Sequence, residues 1–185
     1  KNKYDVIALT SYKNYKKLAK LALMFNCKYA VIGEKKYFSN LKDELFGSNI
    51  KCLAGYKAIC EVSSLKVDIL ISAIIGIAGL KPTFACIGNA KILAIANKES
   101  VISAGNLLIK KARLKKTKII PLDSEHNAIY QMLQNENKKS IKNIILTASG
   151  GPFLKMNKKD FKNITVSDAL KHPNWKMGKK ITIDS

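Results

Sequence analysis

The sequence predicts an α/β fold built on a doubly wound, mainly parallel sheet. Apolar runs of strand length, rich in β-branched residues, alternate with segments whose apolar residues recur at helical spacing. Apolar residues make up 47% of the 185 residues, which is enough to bury a core. Strands that are almost wholly apolar and separated by helices are typical of a parallel sheet covered on both faces.

The pattern begins with a strand followed by a helix. Residues 4–10 form an apolar, β-branched run, and Asn14 is predicted to cap a helix with apolar residues at helical spacing up to Phe25. Later in the chain, Pro82 is expected to open a short helix. The remaining predicted elements are strands at 29–32, 50–53, 67–73, 91–96 and 117–122, and helices at 37–46, 56–62, 82–87 and 99–114.

The pattern changes after Leu122, where polar and small residues interrupt the alternation. We therefore predict a domain boundary there, between a first domain at 1–122 and a second at 123–185. The second is predicted to contain a helix at 125–133, a surface excursion at 134–142, a strand at 144–147, and a capping box at Thr165 and Asp168 before a helix at 169–172.

The composition argues against several classes of protein. The net charge is +20, but the lysines are spread along the chain without interleaved aromatic residues, so a solvated surface is favoured over a nucleic-acid partner. A basic nucleotide- or nucleic-acid-binding α/β module remains the alternative. The longest apolar run, 69–80, is too short to span a membrane. The four cysteines form no C-x-x-C pair, which favours reduced thiols.

Two carboxylates follow the strand at 117–122. In an extended backbone Asp123 and Glu125 project on the same side, so both can reach one hard cation, while Ser124 points elsewhere. Open α/β sheets also bind ligands at the carboxyl ends of their strands. The alternative is a capped helix start, with Asp123 or Ser124 as the N-cap.

Three further segments are candidates for ligand contacts. Lys98 lies at a strand-to-helix junction, where helix amides favour anions, although an ordinary capped helix explains it equally well. Ser149 precedes two glycines and is also compatible with a plain turn. His172 and Trp175 are compatible with simple packing.

Together these segments resemble the signature blocks of one enzyme family, the 1-deoxy-D-xylulose-5-phosphate reductoisomerases. The blocks are LAIANKES at 93–100, PLDSEHNAIYQ at 121–131, LTASGGPF at 146–153 and ALKHPNWKMGKKITIDS at 169–185. The resemblance spans essentially the whole chain and is weakest before residue 68. It implies a Rossmann-like NADPH-binding domain followed by the start of an α+β catalytic domain.

The resemblance also implies an activity and its residues. The family isomerises 1-deoxy-D-xylulose 5-phosphate and reduces the product with NADPH to 2-C-methyl-D-erythritol 4-phosphate, an isoprenoid precursor. Asp123 and Glu125 match carboxylate ligands of Mg²⁺ or Mn²⁺. Catalytic roles are implied for the metal ligands, Lys98 and His172. Substrate contacts are implied for Lys98, Ser124, Glu125, Ser149, His172, Trp175, Met177 and Ser185. Of these, Ser149 and Ser185 match residues that contact the substrate's phosphate, and Trp175 and Met177 match a flap that closes over the substrate.

Cofactor contacts are implied at two places. Lys13 and Asn14 match the positions that read the adenosine 2′-phosphate, although Tyr12 stands where the family commonly has a small residue. The nicotinamide side is matched by Ala73, Asn97, Glu99 and Met177. The family's habit is a homodimer, located in the cytoplasm of bacteria or in a plastid-type organelle of eukaryotes.

The family's glycine-rich phosphate loop and its third metal carboxylate are not found in these 185 residues. We therefore expect this chain alone to bind NADPH and metal weakly and to show no turnover.

Overall fold

The computed structural model describes residues 4–147 and 150–184. Its contacts divide the chain into two compact units, Lys1–Glu136 and Asn137–Ser185. The domain boundary expected near Leu122 stays a prediction. In the part of the chain that is described, no helix is long and apolar enough to cross a membrane.

The first half of unit 1 is a three-stranded parallel sheet in the order β1-β2-β3. Strand β2 occupies the predicted residues 29–32, and Asn14 caps the first helix, as predicted, by accepting a hydrogen bond from the Lys17 amide at 3.1 Å. The elements are β1 (Ala8–Ser11), α1 (Tyr15–Met24), β2 (Tyr29–Ile32), α2 (Phe38–Glu44), β3 (Lys51–Ala54) and α3 (Tyr56–Ser63).

The second half is another three-stranded parallel sheet, in the order β4-β5-β6, which confirms the predicted α/β class with parallel strands. Helix α4 begins at Leu80, so the prediction that Pro82 opens it is wrong. Pro82 lies in the first turn instead, where its missing N–H needs no partner. The elements are β4 (Val67–Ser72), α4 (Leu80–Ala85), β5 (Ala90–Ile95), α5 (Lys98–Leu114), β6 (Lys118–Pro121) and α6 (Ser124–Leu133).

Each sheet has its own apolar core, and a third cluster joins the two halves. Leu18 and Ala22 of α1 pack with Ile32 of β2, whereas Leu108 of α5 packs with Leu93 of β5. Burying a side chain of this size contributes about 1.5–3 kcal/mol. In the third cluster Val31 packs with α3, and Ile74, which follows β4, lies against the same cluster. The Tyr56 hydroxyl adds a hydrogen bond to the Ala78 carbonyl at 2.8 Å.

Unit 2 departs from two predictions. Residues 144–147 form no strand, and Ile145 is 86% exposed. A strand must bond its backbone to a neighbour, and the apolar pattern that suggested one does not supply that neighbour.

The capping box is confirmed, because the Thr165 hydroxyl accepts from the Asp168 amide and the Asp168 carboxylate accepts from the Thr165 amide at 3.0 Å. The helix begins directly after the capping residue Thr165, so α7 is Val166–Ala169. The prediction of a helix at 169–172 is therefore wrong. Helix α8 is Lys179–Asp184.

All four cysteines are free, as expected. Burial raises the pKa of the Cys86 thiol to about 11, despite the opposing charge of Lys111. Since the thiolate is the reactive form, Cys86 is poorly reactive near neutral pH.

We predict that iodoacetamide at about pH 8 labels the partly buried Cys60 before Cys86 in the folded protein, because Cys86 is both inaccessible and protonated. Peptide mass spectrometry after timed labelling measures this order. Protein unfolded in urea, where both thiols are accessible, is the control. Equal labelling rates in the folded protein would contradict the prediction.

Candidate functional site

The carboxyl ends of β4, β5 and β6 lie side by side, because the three strands are parallel and paired in register. Ser72, Ile95 and Pro121 end these strands. This edge is where open α/β sheets bind ligands. The residues just beyond it include predicted site residues, namely Ala73, Asn97, Lys98, Glu99, Asp123, Ser124 and Glu125.

Asp123 is the centre of a small charged cluster at this edge. Its side chain is only 17% exposed. One carboxylate oxygen lies 2.5 Å from Nδ1 of His126 and accepts from the His126 amide at 3.4 Å, while the other lies 3.8 Å from Nζ of Lys98. The carboxylate therefore interacts with an imidazole through one oxygen and with a cation through the other.

The local backbone differs from the extended geometry that we predicted. Asp123 is the N-cap of α6, and Glu125 lies in the first helical turn with an exposed side chain. The argument that Asp123 and Glu125 share one side of an extended strand is therefore wrong, and the alternative of a capped helix start is correct. Asp123 caps because its oxygen satisfies an N–H that has no partner inside the helix.

The electrostatics favour an ionised Asp123. Partial burial is the largest effect and raises the pKa of this carboxyl group. The hydrogen bonds from His126, together with the charges of His126 and Lys98, outweigh burial, so the pKa is lowered from its ordinary value. An ionised carboxylate is the form that ligates a cation.

The donor chemistry at this place fits a hard divalent cation. Asp123 and Glu125 contribute carboxylate oxygens, which Mg²⁺ prefers, and Mg²⁺ is often held by only one or two carboxylates with water and substrate oxygens completing its shell. Among the residues described, no group of three or more His, Cys, Asp or Glu side chains surrounds a common point. The two carboxylates would therefore be a partial ligand set.

Asn97 joins this edge to the loop that follows β4. It is the N-cap of α5 and is only 2% exposed. Its side-chain nitrogen donates to the carbonyls of Ile74 and Gly76, the second at 2.9 Å, and its oxygen accepts from the amide of Ser100 at 2.8 Å and from the Ser100 hydroxyl. The side chain thus faces into the protein.

A second group of predicted residues lies at the carboxyl end of β1. Tyr12 and Lys13 are exposed, and a Cβ on Gly33 would lie 3.0 Å from the Tyr12 ring, so a larger residue there would require the ring to shift. Asn14 uses its side-chain oxygen to cap α1. The predicted contact of Lys13 and Asn14 with a 2′-phosphate stays a prediction.

The predicted substrate residues of unit 2 are only partly described. The rings of His172 and Trp175 stack at 5.1 Å with an angle of 12° between their planes. Nδ1 of His172 accepts from the amides of Asn174 and Trp175, both at 3.1 Å. Trp175 is exposed and Met177 half-buried. Ser149 and Ser185 lie outside the described residues.

Sequence reasoning missed His126. It contacts Asp123 because an N-cap and the residue three positions later meet at the start of a helix. The motif DSEH could have indicated this contact, since a histidine three residues after the N-cap can form a hydrogen bond with the capping carboxylate.

The family match covers almost the whole chain. A family model described as 1-deoxy-D-xylulose 5-phosphate reductoisomerase matches residues 1–105, more than half of the 185. The chain belongs to the 1-deoxy-D-xylulose 5-phosphate reductoisomerase family. The model of the reductoisomerase C-terminal domain matches residues 119–185. The resemblance found in the sequence motifs is thereby confirmed.

Individual reductoisomerases agree with this assignment. The enzyme of Wolbachia pipientis subsp. Culex pipiens is 49% identical over 100% of this chain and 47% of its own length. The solved structure of the Zymomonas mobilis enzyme in complex with NADPH has a TM-score of 0.89 at 43% identity, and the match covers 98% of this chain and 47% of that chain. A reductoisomerase structure with NADPH, fosmidomycin and magnesium has a TM-score of 0.86 at 38% identity, over 99% of this chain and 48% of that chain. The chain spans about half the length of the relatives it matches.

The lowered pKa of Asp123 predicts a pH-dependent contribution to stability. Such a group stabilises the fold above its unfolded pKa, about 4 for Asp, and the contribution is lost as the pH falls through the folded pKa. We expect the free energy of unfolding of wild type and Asp123→Asn to converge as the pH falls below about 5 and through the lowered pKa of the folded state.

Urea unfolding followed by circular dichroism measures this difference. Asn is also a good N-cap, so the substitution removes the charge and keeps the cap. The other carboxylates titrate in both proteins and cancel. A difference that does not vary with pH would contradict the prediction.

Proposed function

We propose that the full protein converts 1-deoxy-D-xylulose 5-phosphate into 2-C-methyl-D-erythritol 4-phosphate, using NADPH and Mg²⁺ or Mn²⁺. Family membership supports the reaction. The observation that carries the proposal is the ionised Asp123, held between Lys98 and His126 at the carboxyl edge of the second sheet. NADPH and magnesium are named with related reductoisomerases, which supports both cofactors here.

Asp123 and Glu125 would hold the divalent cation. When bound, that cation supplies Lewis-acid polarisation of the substrate oxygens. His126 orients Asp123, since a hydrogen bond to a ligating carboxylate fixes its direction. Lys98 places a positive charge beside the same carboxylate, where it can also meet a substrate oxygen.

The other substrate contacts follow from the family motifs. Ser124 would meet a substrate oxygen, and Ser149 and Ser185 would hold the phosphate. His172 would contact the substrate, with Trp175 and Met177 closing over it to exclude water from the hydride transfer. The exposure of Trp175 supports this, because the part of the indole that does not stack on His172 is available to a ligand.

NADPH would contact both halves of unit 1. Lys13 and Asn14 would lie beside its 2′-phosphate, where a cation favours NADPH over NADH. Ala73, Asn97, Glu99 and Met177 would lie on the nicotinamide side. A homodimer and a cytoplasmic location complete the proposal, the second supported by bacterial relatives. The family matches give no support to a nucleic-acid-binding module.

We expect the full protein to oxidise NADPH on addition of 1-deoxy-D-xylulose 5-phosphate only when Mg²⁺ or Mn²⁺ is present. Glu125→Gln and Asp123→Asn should each lower kcat/KM about 100-fold or more, because each removes a charged metal ligand. Absorbance of NADPH at 340 nm follows the reaction.

Glu61→Gln is the matched control, since Glu61 is an exposed carboxylate of α3 that lies 4.0 Å from Lys57. Its activity should equal that of wild type. Metal-independent turnover, or unimpaired Glu125→Gln and Asp123→Asn, would overturn the proposed site. The 185-residue chain alone should show no turnover.

We also predict that His126→Ala weakens the metal site. Loss of the group that orients a ligating carboxylate costs about 10- to 100-fold in metal affinity. Titration of the full protein with Mn²⁺, followed by electron paramagnetic resonance, measures this affinity without turnover.

Met132→Ala is the control for His126→Ala, because Met132 is exposed on the same helix. It should leave Mn²⁺ affinity unchanged. Equal Mn²⁺ affinity in wild type and His126→Ala would show that His126 does not support Asp123.

A further inference from the structure

The loop at 73–79 connects β4 to α4 and leaves the sheet at the ligand-binding edge. Ile75 and Ile77 are exposed on it, at 71% and 62%. Such a loop has no strand neighbour to hold its backbone, so its position must come from elsewhere.

Asn97, which follows the neighbouring strand β5, supplies part of that support, in addition to the hydrogen bond from the Tyr56 hydroxyl to the Ala78 carbonyl. Its two N–H groups are both used on the carbonyls of Ile74 and Gly76. Its oxygen accepts from the Ser100 amide and hydroxyl. An amide has two N–H donors and two acceptor positions, so these four contacts use its full capacity.

The loop packs closely against Asn97 at Gly79. A Cβ on Gly79 would lie 2.7 Å from the Ile74 carbonyl and 2.9 Å from the side-chain nitrogen of Asn97. The Thr83 hydroxyl donates to the Gly79 carbonyl at 2.6 Å and lies 2.6 Å from the Ser72 hydroxyl. Because the Thr83 hydroxyl donates its hydrogen to the Gly79 carbonyl, the Ser72 hydroxyl must be the donor in the hydrogen bond between Ser72 and Thr83.

The Asn97 backbone amide donates to the Ser72 carbonyl at 3.0 Å, which joins the pair Ser72–Thr83 to the pair Asn97–Ser100 in one buried polar network. All four side chains are buried. A buried network of this kind fixes its geometry only while every member is satisfied. The network contacts the loop at 73–79, which includes Ala73 and the exposed Ile75 and Ile77.

We propose that Asn97 is a positioning residue for NADPH: it fixes the loop at 73–79 from below, and the loop's outer face, with Ile75 and Ile77, meets the cofactor. This rests on the proposed function. Asn97 acts through the loop carbonyls, because none of its own side-chain polar groups remains for the cofactor. The family motif implies a cofactor contact at Asn97 and does not specify its atoms.

Asn97→Asp in the full protein tests the proposal. It keeps the oxygen that caps α5 and replaces the two donors with a second acceptor facing the carbonyls of Ile74 and Gly76. Hydrogen-deuterium exchange of 73–79, without cofactor or substrate, should become at least tenfold faster, and the Kd for NADPH, measured by its fluorescence, should rise about tenfold or more. At saturating NADPH, kcat should change less than the KM for NADPH.

Asn89→Asp is the matched control. Asn89 is exposed just before β5, at the amino-terminal edge of the sheet, and its side chain donates to the Ala85 carbonyl at 3.3 Å. Both the exchange of the loop and the Kd for NADPH should equal those of wild type.

Thr83→Val is the second variant, for the case that Asn97→Asp does not fold. It leaves Asn97 intact and removes the donor to the Gly79 carbonyl. The positioning role predicts faster exchange of the loop and weaker NADPH binding here too, whereas a direct contact of Asn97 with NADPH predicts unchanged affinity.

Two results would overturn the proposal. One is weaker NADPH binding by Asn97→Asp with wild-type exchange of the loop, which would make Asn97 a direct ligand. The other is faster exchange with unchanged NADPH affinity. If wild type itself fails to bind NADPH, the proposed function fails, and the exchange measured without cofactor still tells whether Asn97 holds the loop.

Discussion

Backbone hydrogen bonds between the parallel strands β4, β5 and β6 continue for one or two residues beyond the carboxyl ends of these strands. The amides of Ala96 and Asn97 donate to the Ser72 carbonyl at 2.9 and 3.0 Å, and the Leu122 amide donates to the Ile95 carbonyl at 2.8 Å. Because these bonds fix where the chain leaves each strand, the loop after β4, the start of α5 and the start of α6 share one edge. Lys98 reaches Asp123 only because both lie just beyond those bonds.

The electrostatics of that edge suit the proposed binding of a cation. Asp123 is partly buried, which raises its pKa, and the groups around it reverse the effect. The Lys98 ammonium lies at 3.8 Å, too far for a tight charge-assisted hydrogen bond of about 2.8 Å. In the proposed site, a divalent cation carries twice the charge of Lys98, so it would take the carboxylate while Lys98 would turn towards a substrate oxygen.

Local sequence patterns predict many of the helices and strands correctly, whereas the features that depend on long-range contacts could not be predicted. The strand at 29–32 and the cap at Asn14 follow from short stretches of sequence. The prediction of a strand at 144–147 was wrong because a strand needs a neighbouring strand for its backbone hydrogen bonds, and a local pattern does not show whether one is present. The extended geometry of Asp123 and Glu125 failed because a strand end and a helix cap look alike in sequence. The inward direction of Asn97 depends on carbonyls more than twenty residues away.

The roles of Asp123 and Glu125 as metal ligands rest on donor chemistry, charge and family motifs, so direct observation of the ion tests them best. The most direct measurement is an anomalous difference map from crystals of the full protein grown with Mn²⁺. The account predicts one strong peak with carboxylate oxygens of both Asp123 and Glu125 about 2 Å away. A peak bound elsewhere, or no peak between these two side chains, would contradict it.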